Sequence, residues 1–341
     1  MLAPRRLWLT STRLFSLQLS ARSLCRAEPF QEQQQQQLSF FDENYNNPSL
    51  PNPISYSSNF SSTANMTRRA PVISISHGGG PMPLLGDPSH AAIVESLKTR
   101  VPEALKLGTD EAPRAIVLVT AHWSTDEPTI SAAEKNELLY DYHGFPSEAY
   151  KLKYPAKGSK EVAELVRESL AAEGMSGQLD VSRGWDHGVF IPMLLINPSA
   201  NVPIIQVSVL ASESISAHLS LGRALARLRD QNIAIIGSGF ASFHNLRIMF
   251  SPQTLASPAF KARNKAWNQA LDDAVLEADG EERGKKLQGW RGWEGAYDSH
   301  PRGGAEHFMP LVVCAAAGGE GKARVWKDEF TGLSIASYCW E

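Results

Sequence analysis

Two unbroken apolar runs, Ile116-Val117-Leu118-Val119 and Ile233-Ala234-Ile235-Ile236, constrain this chain more than any other feature. Neither alternates with polar positions, so both read as central strands buried on both faces. Such strands need a covering layer on each side of their sheet. From residue 70 onward the sequence supplies those layers. Strand-like segments at 72–76, 115–120, 203–209, 232–237 and 333–339 are separated by helical patterns at 89–99, 159–173, 190–196, 215–229, 256–277 and 306–317. The expected fold is α/β, a three-layer α/β/α arrangement around a central mixed sheet. The tail Ser334-Ile335-Ala336-Ser337-Tyr338 alternates, which suits an edge strand. No internal repeat and no Pro/Gly linker divides this part, so it is expected to be a single domain.

The first 65 residues differ from the rest. Arg5, Arg6, Arg13, Arg22 and Arg26 precede the first acidic residue, Glu28, with Leu and Ser between them. An Arg-rich, Ser-rich, acid-poor start resembles a mitochondrial transit peptide. Its arginines interrupt the apolar stretch, which argues against a secretory signal and against the roughly 18 apolar residues of a membrane span. An untargeted extension ahead of Met66 is the alternative, so a mitochondrial and a cytoplasmic location both stay open. The run Gln33-Gln34-Gln35-Gln36-Gln37 and the Asn, Ser and Pro that follow cannot bury enough apolar area to offset the entropy lost on folding. Residues 1–65 therefore read as a disordered extension, and 66–341 as the folded domain.

With 43% hydrophobic and 20% charged residues, the chain can bury a full core. A net charge of −3 leaves no basic footprint for nucleic acid, and neither nucleic acid nor membrane is expected as a partner. A homo-oligomer is compatible with the sequence, which does not set the oligomeric state. Cys25, Cys314 and Cys339 lack metal-type or redox-type spacing and read as buried thiols in a reducing compartment.

Five of the nine histidines sit at the edges of apolar runs. His77 closes the run from Val72, His122 closes the run from Ile116, and His244 lies in the loop after the run from Ile233. His187 and His307 open the segments Val189–Leu195 and Phe308–Val313. In an open α/β sheet, ligands bind outside the carboxyl ends of the strands. Imidazole is the commonest side-chain ligand for zinc and iron, so several histidines on one rim suggest a metal enzyme. His90, His143, His218 and His300 read as structural; His218 and His90 are expected to be solvated, while His143 and His300 fall in loops within reach of the rim. Asp186 and Glu306 directly precede His187 and His307 and are candidates to orient those imidazoles.

Two familiar signatures fail. Gly78-Gly79-Gly80-Pro81-Met82-Pro83 follows a strand, but its prolines and missing third glycine break the dinucleotide fingerprint. Ser238 lies between Gly237 and Gly239, whereas a nucleophile elbow needs glycines two residues away on either side.

The motifs taken together resemble the class III extradiol ring-cleavage dioxygenases, in the single-chain branch of DOPA-dioxygenase-like proteins. The stretches that carry the resemblance are Ser76–Pro81, Thr120–Trp123, Tyr140-Asp141-Tyr142-His143-Gly144-Phe145-Pro146, Trp185–Gly188, Gly237–Gly239 with His244-Asn245-Leu246, and Glu306–Leu311. They run in order through essentially everything after the extension. The resemblance implies that His77, His122 and His307 bind one divalent metal. It also implies that His244 is an acid/base or a fourth ligand, and that His187 lines the substrate side. His143 stands where the family usually carries a tyrosine, and Phe243 spaces His244 one residue further from Ser242 than the family pattern. A site with three protein ligands leaves room for a catecholate and O2 on Fe(II), whereas Zn(II) would point to hydrolysis by an activated water. The expected activity is thus metal-dependent extradiol cleavage of a catechol-type aromatic diol with O2. A zinc-dependent hydrolase and a non-catalytic metal-binding homologue are the alternatives.

Overall fold

β1 (Val72–Ser76), β2 (Ala115–Thr125), β3 (Thr129–Ser131), β4 (Gln178–Asp180), β5 (Ile204–Leu210), β6 (Ile233–Gly239), β7 (Arg324–Phe330) and β8 (Leu333–Trp340) form one mixed sheet in the order β4-β3-β5-β2-β6-β1-β8-β7. This computed structural model describes residues 69–341. The amino-terminal extension, with Cys25 and its resemblance to a transit peptide, lies outside the described residues. At the centre β5, β2, β6 and β1 run parallel, with Leu118 opposite Ile236 and Ile73 opposite the same residue on the other side. β8 and β7 extend the sheet antiparallel beyond β1, and β3 pairs antiparallel with β5.

Successive strand residues face opposite sides, and here the two sides have separate cores. Val117, Val119, Ile233 and Ile235 join one core with Leu221, Leu225, Leu271 and Val312. Ile116, Leu118, Ala234 and Ile236 join the other with Ile93, Leu97, Phe190 and Met193. The three-layer expectation is met for a physical reason: the apolar runs bury alternate residues under helices on each face. The covering helices start where the sequence offers caps. Ser159 Oγ accepts the Val162 N–H ahead of Lys160–Ala172, and Ser214 Oγ accepts the Ala217 N–H ahead of Ile215–Ala226. The helices His187–Ile196 and Met309–Ala317 are buried on almost every face, which their apolar sequences require.

Three expectations need correction. The tail strand is not at the edge: β8 is flanked by β1 and β7, and seven of its eight residues are buried. The edge is β7, whose Lys327 and Glu329 face solvent and hide the strand pattern. His90 and His218 are not solvated either. Both rings are buried, and His218 accepts the Leu210 N–H at Nε2 while Nδ1 donates to the Ser214 carbonyl. Among the described residues, no helix is long and apolar enough to cross a membrane. Cys314 and Cys339 are free, buried thiols, as expected.

Candidate metal centre

His77 follows β1 directly, and a tight loop lets it face the rim. Gly78 has φ +84°, and a Cβ there would lie 2.5 Å from Pro83 Cγ and 2.8 Å from His90 Cδ2, so only glycine fits. His90 pins this loop: its Nδ1–H donates to Asp87 (2.9 Å) and its Nε2 accepts the Gly79 N–H (3.0 Å). His122 lies within β2, not after its end. The register with β5 slips between Thr120 and Ser124, and this irregularity frees His122 from the ladder. Its N–H bonds Thr120 Oγ1 (3.1 Å), and its carbonyl accepts from Arg183 Nη2 (3.0 Å).

The buried carboxylate of Asp186 ties these two anchors together, accepting from Thr120 (2.8 Å), Arg183 (3.2 Å) and Gln206 (3.2 Å). Asp186 thus supports the His122 backbone and does not orient the His187 ring as expected. Adjacent residues at a helix start point apart, and the role falls to Asp141. Its Oδ1 accepts from His187 Nδ1 (2.8 Å) and from the His187 backbone N–H (2.9 Å). Glu306 does take the role foreseen for it, 2.8 Å from His307 Nδ1.

The close approach of His307 depends on β6. A Cβ on Gly239 would collide with the His307 carbonyl, and one on Gly237 would lie 2.5 Å from Cys314 Sγ. The Gly-Ser-Gly sequence is therefore a packing groove for the segment that carries His307. Between those glycines, Ser238 Oγ donates to the Gly188 carbonyl and lies 2.9 Å from His77 Nδ1. Its one proton being committed, Ser238 accepts from His77, which fixes the proton on Nδ1 and leaves Nε2 bare. The carboxylate of Glu306 fixes His307 in the same tautomer.

The rings converge. His122 Nε2 is 3.2 Å from His77 Nε2 and 3.2 Å from His307 Nε2. Ligand atoms of His77, His122 and His187 lie within 4.8 Å of one another, and those of His244, Glu306 and His307 form a second such group. Burial, then the neighbouring imidazoles, holds His77 and His307 far below the ordinary histidine range. His122 is lowered to about 3, and His244 to about 4, by burial first and then by His187. Neutral nitrogens crowded at one point repel unless a cation lies between them. With metal–nitrogen bonds of about 2.1 Å, neighbouring ligand atoms stand about 3.0–3.4 Å apart, which the two 3.2 Å separations match. The donor set therefore fits one divalent metal.

His143 and His300 stay out of this cluster. His143 is exposed, and buried His300 points Nε2 at the Ala241 carbonyl (2.8 Å).

The family described as the catalytic LigB subunit of aromatic ring-opening dioxygenase matches residues 71–338. The chain belongs to this family. It is 51% identical over 280 residues to dioxygenase tasH of Hapsidospora irregularis, covering 80% of this chain and 85% of that protein. It is 33% identical over 268 residues to a 4,5-DOPA dioxygenase extradiol of Beta vulgaris, covering 77% and 94%. A crystal structure of an uncharacterized protein from Escherichia coli K12 superposes with a TM-score of 0.61 at 28% identity, covering 80% of this chain and all of that one. This LigB-family chain is an extradiol ring-cleavage dioxygenase, acting on an aromatic substrate and O2. LigB-family enzymes use a metal, and the histidine cluster is where one fits. The hydrolase and non-catalytic alternatives are not favoured, because the relatives are dioxygenases by name.

Sequence reasoning missed Asp141, Ser238, Thr120 and Arg183 as supports of the LigB-type site. Thr120, Asp141 and Ser238 carried a signal, since each lies in one of the quoted stretches, whereas Arg183 lies in none.

Proposed function

We propose that this dioxygenase binds one Fe(II) through Nε2 of His77, His122 and His307, and opens a catechol-type diol with His244 as acid/base and His187 on the substrate side. The observation that carries the ligand set is the pair of 3.2 Å approaches made by His122 Nε2 to the other two. When bound, Fe(II) supplies electron exchange between an aromatic diolate and O2, which zinc, having no redox chemistry, cannot supply.

The geometry of His244 favours proton transfer over ligation. Its ring stacks on that of His307 with centroids 3.4 Å apart and planes 12° from parallel. A nitrogen lone pair lies in its own ring plane. Two rings stacked face to face send their in-plane lone pairs along separate, nearly parallel planes, so His77, His122 and His307 would hold the metal and His244 would be left for proton transfer. Burial and then His187 lower its pKa to about 4, so His244 is neutral at pH 7 and has a ring nitrogen free to accept a hydrogen bond from a phenolic hydroxyl. His187, with Nδ1–H committed to Asp141, turns Nε2 away from that carboxylate and can receive a hydrogen bond from the substrate.

Anaerobic purification with iron, elemental analysis and oxygen-electrode assays over a panel of catechols test this reading. About one iron per chain and O2 uptake equal to the diol consumed are expected. No O2 uptake from iron-loaded protein with any catechol would remove it.

A further inference from the structure

Asp141 touches two of the five site histidines at once. Its Oδ1 accepts from His187 Nδ1 (2.8 Å), and its Oδ2 lies 3.5 Å from His122 Nδ1. The two rings it serves are themselves in contact, with centroids 3.7 Å apart. The carboxylate is held rigidly for this. Its strand-like segment is zipped onto the residues before His187: Leu139 N–H donates to the Trp185 carbonyl (2.7 Å) and Trp185 N–H to the Glu137 carbonyl (2.9 Å). The flanking tyrosines are tied back by their hydroxyls, Tyr140 to the Leu152 carbonyl (2.7 Å) and Tyr142 to the Ala149 carbonyl (2.6 Å). Asp141 also accepts the first N–H of the helix His187–Ile196, whose own flanking Asp186 makes no side-chain cap. A negative charge at that positive helix end is favourable.

A carboxylate facing Nδ1 of both rings stabilises the Nδ1–H tautomer in both. Each ring then presents a bare Nε2, one toward the metal position and one toward the substrate. We infer that Asp141 is a positioning residue that sets the tautomer of His122 and His187 together, coupling metal ligation to substrate orientation. The inference rests on the proposed roles of those two histidines.

Asp141→Asn tests it, because the amide keeps the size and one acceptor. Its NH2 group must face one of the two rings as a donor, and that ring must move its proton to Nε2. Long-range nitrogen–proton NMR of the Zn(II)-loaded, uniformly labelled full chain reads the tautomers directly, with a His187→Ala variant assigning that ring's signals. Both rings are expected as Nδ1–H in the unmodified protein, and at least one as Nε2–H in Asp141→Asn. Cobalt(II) affinity of the metal-free variant should fall ~10–100-fold, as for other residues that orient a ligand from behind. If Asp141 only caps the helix, Asp141→Asn lowers the melting temperature and leaves both tautomers unchanged, which overturns the inference. Should that variant fail to fold, the unmodified protein decides, since an Nε2–H signal from either ring overturns it equally. His77→Ala separates this outcome from the ligand reading. Metal loss there with unresponsive tautomers refutes the role of Asp141 alone, whereas retained metal with responsive tautomers refutes the ligand set alone.

Discussion

The ring of His244 lies flat against that of His307, centroids 3.4 Å apart, while Glu306 Oε1 sits 2.8 Å from His307 Nδ1 and 3.8 Å from His244 Nδ1. One ring is thus aimed into the nitrogen cluster, and the other is stacked beside it. His244→Ala should keep metal near one per chain while turnover falls ~10²–10⁴-fold, the usual loss of a proton-transfer group. Metal content and turnover falling together would make His244 a fourth ligand instead.

Removing any of the three proposed ligands should empty the site. His77→Ala, His122→Ala and His307→Ala each leave two imidazoles, which cannot hold an ion well at ordinary metal concentrations. Elemental analysis of the folded variants checks this. Full occupancy in any one of them strikes that residue from the ligand set.

Ser238→Ala should weaken the metal without removing a ligand. It deletes the acceptor that keeps the proton on His77 Nδ1 and the donor to the Gly188 carbonyl. Metal affinity is expected to drop ~10–100-fold with the fold retained. An unchanged affinity would mean that packing alone fixes the His77 ring.

His218 gives the fold a pH dependence separate from the site. Burial lowers its pKa from 6.5 to about 4, against the opposing pull of the Ser214 carbonyl and Glu213. The unfolded chain takes up this proton near pH 6.5 and the folded chain only near 4, so stability falls as pH drops through that window. Between pH 7 and 5 this residue should cost about 2 kcal/mol of stability. Denaturant unfolding of His218→Gln should show a shallower decline over the same range, and parallel curves for the two proteins would refute the assignment.

A chain beginning at Met66 is expected to fold and bind metal as the full chain does. The glutamine run and the polar residues after it offer little apolar surface to pack. Comparing thermal unfolding and metal content of the two chains checks this. A loss of more than about 1 kcal/mol on truncation would show that the extension packs on the domain.

Much of the molecule was legible because local pattern and global fold agree. Ile116–Val119 and Ile233–Ile236 had to be central strands, since no other place in an α/β fold buries an unbroken run on both faces. His77 and His244 follow parallel strands whose carboxyl ends lie together, which pointed to one rim, and His122, His187 and His307 join them from within β2 and from helix starts. β7 was not legible, because a charged edge strand satisfies its exposed face with water and shows no apolar pattern. Nor was the burial of His90 and His218, whose partners are a backbone N–H on one ring nitrogen and an oxygen acceptor on the other. The sequence by itself determined the layers and the rim, while the structure showed that His143 and His300 stay out of the cluster. Only the tertiary structure decided what stands behind each ring, with Ser238 holding His77, Asp141 holding His187 and Asp186 bracing the backbone of His122. Ser238 lies 161 residues from His77, Asp141 46 from His187 and Asp186 66 from Thr120, and hydrogen bonds across such distances leave no periodic trace in the chain.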